Sequence, residues 1–149
     1  RIPGSRAKIA LSTMDPQIDP IGSVVGVKGV RITSVSQQLH GENIDCVEYS
    51  TIPEMFVARA LSPAIIKSVQ IMKSEKYDEK DKAIVTISSD QKSKAIGKSG
   101  LNIRLASMLT KCEIELVEVG DNAQSTEGST EIPNDERRKD TSELEALFK

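Results

Sequence analysis

From Arg6 to Thr13 the chain alternates, with Ala7, Ile9 and Leu11 set against Lys8 and Ala10, and this period of two predicts a strand entered from Pro3-Gly4. After the loop at Asp15-Pro16, Asp19 stands as the N-cap and Pro20 as the first residue of a short helix that packs Ile21, Val24 and Val25 inward and stops at Gly26. Val30, Ile32, Val35 and Leu39 recur at helical spacing, Gly41 ends that run, and Asn43 to Tyr49 reads as a strand. Ser50-Thr51-Ile52-Pro53 repeats the device of cap and proline before the helical face of Phe56 to Leu61, which Ser62-Pro63 stops. Ile65 to Lys73 and Lys82 to Ser88 predict two strands of a hairpin around the charged turn Glu75 to Asp81. Leu101, Leu105, Met108 and Leu109 then mark another helix, and Glu113 to Val119 a last strand.

Laid side by side, these patterns repeat. Gly26-Val27-Lys28-Gly29 and Gly97-Lys98-Ser99-Gly100 each follow an apolar pair, Val24-Val25 and Ala95-Ile96, and each opens an amphipathic helix. The spacing of 71 residues is too long for a solenoid unit and suits a small duplicated domain. Both copies continue into a strand with the pattern Ile, acid, apolar, Val, Glu, with a one-residue difference in length between helix and strand. The second unit has the order helix, strand, strand, short helix, glycine loop, helix, strand. That order defines a type II KH domain, in the α/β (α+β) class with a three-stranded sheet packed by helices. The first unit starts only at the strand from Arg6, so an initial helix and strand are expected to be missing from it, and Arg1 in place of Met suggests a fragment. The expected division is a first domain over 1–51, a second over 52–120 and an acidic tail over 121–149.

Composition narrows the classes. An apolar fraction of 38% supports modest cores, and with 3% aromatics and no Trp those cores must be aliphatic. No stretch approaches the roughly 20 apolar residues of a membrane span, and a soluble, cytoplasmic protein is expected. The net charge of −2 is unevenly spread: residues 1–112 carry 16 Lys and Arg against 11 Asp and Glu, and 113–149 carry 4 against 11. A basic body and an acidic tail must therefore be weighed apart. From Gly120 to about Arg138 the composition is too polar to bury much surface, while Leu144, Leu147 and Phe148 lie on one face of a possible short partner-docking helix. Cys46 and Cys112, taken as equivalent positions of the two repeats, read as reduced, packed thiols.

Two glycines around a basic residue, just before a helix, predict a loop that lets a sugar-phosphate backbone approach closely, and its duplication points to a polymer of phosphates, single-stranded RNA in the first place. The residues expected to bind it are Gly26, Val27, Lys28, Gly29 and Arg31 in the first unit. In the second they are Lys94, Ile96, Gly97, Lys98, Ser99, Gly100, Asn102 and Arg104, with Lys92 widening the basic surface. Val25, Ile32, Ile96 and Ile103 are candidate base contacts, although Ile32 and Ile103 fit a core equally well. His40 has no cysteine or carboxylate constellation around it and reads as a cap or surface residue. Neither a Walker-type lysine and hydroxyl nor a cluster of metal carboxylates is present, which argues against phosphoryl transfer or nuclease chemistry, and no catalytic residue, metal or cofactor is assigned.

The wording of the motifs is itself informative. Arg1 to Ala10, Asp19-Pro20-Ile21-Gly22, Gly26 to Arg31, Gly41 to Asp45, Ala60 to Ala64 and Ala95 to Ala106 resemble the tandem KH region of the NusA family of bacterial transcription factors, in the family's order. The resemblance implies a cytoplasmic factor that binds RNA polymerase and nascent RNA, with other antitermination factors as possible partners, and modulates pausing, termination and antitermination. A ribosome-associated KH protein, or a scaffold acting through the acidic tail, is the alternative that residue chemistry alone leaves open.

Overall fold

The computed structural model describes residues 1–120; the expectations for the acidic tail and its Leu144, Leu147 and Phe148 face lie outside them. The elements in order are β1 (Arg6–Leu11), α1 (Pro20–Val25), α2 (Val30–Gln38), β2 (Asn43–Glu48), α3 (Pro53–Ala60), β3 (Ser68–Met72), β4 (Asp81–Ser88), α4 (Lys92–Ile96), α5 (Leu101–Thr110) and β5 (Cys112–Val119). A single 3-10 turn, Val27–Gly29 or Lys98–Gly100, joins α1 to α2 and α4 to α5. β1 pairs in parallel with β2, Ala7 opposite Ile44, while β4 lies between antiparallel β3 and parallel β5, Ala83 opposite Ile114. Matching these registers makes β1 the counterpart of β4 and β2 that of β5. The first sheet has two strands among the described residues and nothing there that corresponds to α3 and β3, as the shortened first unit predicted.

The deepest core belongs to the second unit, where Val57, Ala60 and Leu61 of the α3 region pack on Ala83, Val85 and Ile87 of β4. Burying side chains such as Leu61 and Ile87 contributes about 1.5–3 kcal/mol each. The outer face of β1 is covered as well. Lys8 stands where the repeat has Ile84, yet its side chain is only 1% exposed, and its Nζ donates to the Ser62 carbonyl at 2.9 Å. A lysine from the first sheet thus pins the turn that follows α3.

Several local expectations change. Asp19 occupies the N-cap of α1 without a side-chain capping bond; its carboxylate lies over Gly22, 2.6 Å from where a Cβ would stand. At α3 the cap position is Ile52, because the Ser50 hydroxyl accepts the Ile52 N–H in a local turn. β3 starts at Ser68 rather than Ile65, whose N–H is taken by the Gln91 side-chain oxygen at 3.0 Å. The one-residue difference between the copies sits at the helix ends: His40 and Gly41 both take positive φ after α2, whereas Lys111 alone does so after α5. Cys46 and Cys112 are not equivalent. Cys46 lies in the middle of β2 opposite Ile9, and Cys112 opens β5 opposite Asp81. Both are free thiols, and burial raises both pKa values.

Glu42, just before β2, is fully enclosed and accepts hydrogen bonds from Arg1 Nε (3.1 Å), Arg1 Nη2 (2.9 Å) and the Gly4 N–H (2.9 Å). The bonds from Arg1 hold its carboxyl below the ordinary range of about 4.5. A lowered folded-state pKa stabilises the fold above the unfolded value, and that contribution disappears as pH falls through the folded one. Urea unfolding followed from pH 7 to pH 3 is expected to show wild type losing stability below about pH 4.5 more steeply than Glu42→Gln, which has no such carboxyl to protonate.

Candidate nucleic-acid interface

The two glycine loops share one backbone conformation. Gly26 (φ 78°, ψ 172°) matches Gly97 (72°, 177°), Lys28 (53°, 25°) matches Ser99 (56°, 25°), and Gly29 (73°, 17°) matches Gly100 (71°, 13°). Every pair agrees within 6°, although the two middle residues differ in chemistry between the loops. The match also shows that the lysines are displaced: Lys28 is the third residue of its loop and Lys98 the second of its own. Val27, Lys28, Lys98 and Ser99 are all exposed.

The glycines divide into two kinds. A Cβ on Gly97 would stand 2.7 Å from Asn102 Cβ and 3.0 Å from its backbone N, and one on Gly26 would meet Arg31 Cγ at 2.8 Å. The first glycine of each loop is therefore required by the helix behind it. Around Gly100, by contrast, there is open space, and at Gly29 the nearest atom is 3.8 Å away, so these last glycines answer only to their left-handed φ.

Arg31 and Asn102, each five residues after the first glycine, do the same work. Arg31 Nη1 donates to the Ser23 carbonyl at 2.7 Å, and Asn102 Nδ2 donates to the equivalent Lys94 carbonyl at 3.2 Å, to Ala95 at 2.9 Å and to Leu61 at 3.2 Å. Each closes the end of the preceding short helix and so fixes the loop. Asn102, expected among the RNA-binding residues, is 3% exposed, and its amide supports the loop from behind. Arg104 is exposed two residues further along α5, at the position of Thr33 rather than of Arg31. Lys94 is exposed, whereas Lys92 is engaged with Glu118 at 2.8 Å.

The apolar candidates separate in the same way. Val25 and Ile32 line a cavity of about 510 Å³ with Ile21, Ile44 and Asp45, beside β2, which among the described residues pairs with β1 alone. Ile103 packs against the core of the second unit, and Ile96 is half-buried at the end of α4. Gly97 and Lys98 border a second cleft, about 290 Å³, with Ser5, Arg6 and Asn43 of the first unit. Sequence reading missed these first-unit residues. Arg6, Lys8 and Asp45 share the face of β1 and β2 opposite Ala7 and Ile44, a period-two signal that says which face they occupy but not that another unit covers it.

Two copies of a short helix, a GxxG turn, a longer helix and a strand, each built on a parallel strand pair, define a tandem KH protein. Family models agree and are more particular: a NusA-like first KH domain matches residues 1–49 and a NusA-like second KH domain matches residues 53–124. The chain belongs to this NusA-like KH family. Among curated relatives, the transcription termination/antitermination protein NusA of Helicobacter pylori (strain ATCC 700392 / 26695) is 44% identical over 169 residues, covering the whole chain and 42% of that protein. The protein of the same description from Thermus thermophilus is 40% identical over 152 residues, covering the whole chain and 38% of the relative. The chain thus spans about two fifths of their length. Among solved structures, that of APE1850 superposes with a TM-score of 0.57 at 27% identity, over 78% of this chain and 80% of that one.

Proposed function

We propose that this chain is the RNA-gripping part of a NusA-like transcription factor, with units over 1–51 and 52–120 that act by binding rather than by turnover. The observation that carries the reading is the pair of GxxG turns, alike within 6° and each offering a lysine at an exposed position. The sugar-phosphate chain would run over Gly29 and Gly100, where no side chain stands in the way. Lys28, Lys98 and Arg104 would meet phosphates, and the apolar cavity at Val25 and Ile32 would receive bases. Gly26, Gly97, Arg31 and Asn102 hold the loops in shape, with Val27, Ser99, Lys94 and Ile96 around them.

Each module would clamp about four nucleotides, and since both lie on one chain the second grip is intramolecular once the first is made, with the bond from Lys8 to Ser62 restraining the spacing of the two. Within a longer factor acting in the cytoplasm on RNA polymerase, a grip on nascent transcript would bias pausing, termination and antitermination. The test is fluorescence anisotropy of short single-stranded RNAs across a salt series. With Lys28, Lys98 and Arg104 on phosphates, log Kobs is expected to fall against log salt with a slope of about −2, from −0.7 per phosphate contact. A slope near zero removes the reading.

A further inference from the structure

Asp45 is an odd residue to find in an RNA groove. Its Oδ2 is buried and lies 3.4 Å from Arg6 Nη1 and 3.8 Å from Lys8 Nζ, without a hydrogen bond to either. Since the side chain as a whole remains 30% exposed, that exposure belongs to its other side, and no hydrogen bond among the described residues engages Oδ1. The carboxylate is thus balanced in charge from behind, while the acceptor capacity of its exposed side is taken up by no group among the described residues and is open to a ligand. It lines the same cavity as Val25, Ile32, Arg6 and Pro63. With two cations behind one anion, the cluster carries a net positive charge and does not repel phosphate.

We infer that Asp45 is a base-reading residue of the first module, one that selects a base carrying an exocyclic amine and rejects uracil. This rests on the RNA-binding reading and adds a specificity to it. A carboxylate oxygen accepts from the N4 amine of cytosine or the N6 amine of adenine. Uracil offers one N–H between two carbonyl oxygens, so an approaching carboxylate meets repulsion on both sides. In the second module the equivalent residue, Glu115, is half exposed and paired with Lys82, so the selection belongs to the first module alone.

The test compares homopolymeric RNAs of about ten nucleotides, long enough for two grips of about four. Oligoadenylate and an oligomer of purine riboside differ in the exocyclic amine alone, whereas oligocytidylate and oligouridylate exchange the amine for a carbonyl and the N3 acceptor for an N–H at the same ring size. For the wild-type chain both ratios of affinity are expected to be on the order of tenfold in favour of the amine. In Asp45→Ala, which has no acceptor at that place, they are expected to fall towards one while salt-sensitive binding persists. Because that variant leaves Lys8 buried without its counter-charge, Asp45→Ala with Lys8→Met is measured beside it, folding being checked by circular dichroism. Ratios near one for the wild-type chain, or tenfold ratios kept in a folded variant, overturn the inference while the RNA reading stands. Absence of salt-sensitive binding to all four oligomers overturns both.

Discussion

Replacing Val27 and Lys28 together with Lys98 and Ser99 by aspartates is expected to leave the chain folded and to weaken single-stranded RNA binding at least about a hundredfold, some 3 kcal/mol. The fold should tolerate the change because all four side chains are exposed and because aspartate accepts the left-handed φ that Lys28 and Ser99 adopt better than most residues do. Binding should not tolerate it, since each loop loses one positive charge and gains two negative ones where the last glycine leaves the backbone bare. Altering one loop at a time separates the modules: each single-loop variant loses the intramolecular advantage and should bind with the affinity of the remaining module. Anisotropy titration with thermal melts of the same samples is the measurement. Unchanged binding in the fourfold variant would move the contact away from the loops and favour a scaffold acting through protein partners.

The second large effect concerns stability. Gly97→Ala is expected to destabilise the chain by about 2–4 kcal/mol, because φ near 72° with ψ near 177° is a region almost closed to other residues and the new Cβ would run into Asn102. Neither the Asn102 Cβ nor its backbone N, at 2.7 and 3.0 Å, can swing aside, so the start of α5 must move and strain the bonds to Leu61, Lys94 and Ala95. Gly26→Ala carries the same backbone cost and meets Arg31 Cγ at 2.8 Å and Cβ at 3.1 Å; the Cγ can turn about χ1 and no backbone atom lies as near as Asn102 N does at Gly97, so a smaller loss is expected. Gly100→Ala meets open space and should cost only the left-handed conformation, about 1 kcal/mol. Urea unfolding should rank the losses at Gly97 above Gly26 above Gly100; equal losses at Gly97 and Gly100 would refute the assignment of the first glycines to helix packing.

Much of this architecture was legible because the signals are local. Alternation marked Ala7, Ile9 and Leu11, proline marked the first turns at Pro20 and Pro53, and glycine marked both loops, so the order of elements and the repeat follow from neighbours along the chain. What stayed hidden is set by neighbours in space. Arg31 and Arg104 are both arginines early in a helix, yet counting from the first glycine aligns Arg31 with Asn102, a residue whose amide disappears beneath α4. The cysteines looked paired because each lies near a helix-to-strand junction, and the strand registers separate them. Asp45 gave no sign of facing a groove, since Ser62 and Pro63, which close that groove, come from the other copy.

Lys8 bears on how the molecule can be taken apart. A cut between the units near residue 51 would seem to yield two self-sufficient beads, one for each GxxG. Yet the ammonium on β1 ends on a carbonyl eleven residues beyond that cut, so the seam drawn by packing does not follow the seam drawn by the repeat. A first half expressed alone would carry a bare cation where the intact chain has an anchored one, with Asp45 left among charges no longer braced from the other side. Affinities measured on such halves would describe two altered proteins, and the grip of the intact pair could not be recovered by adding them.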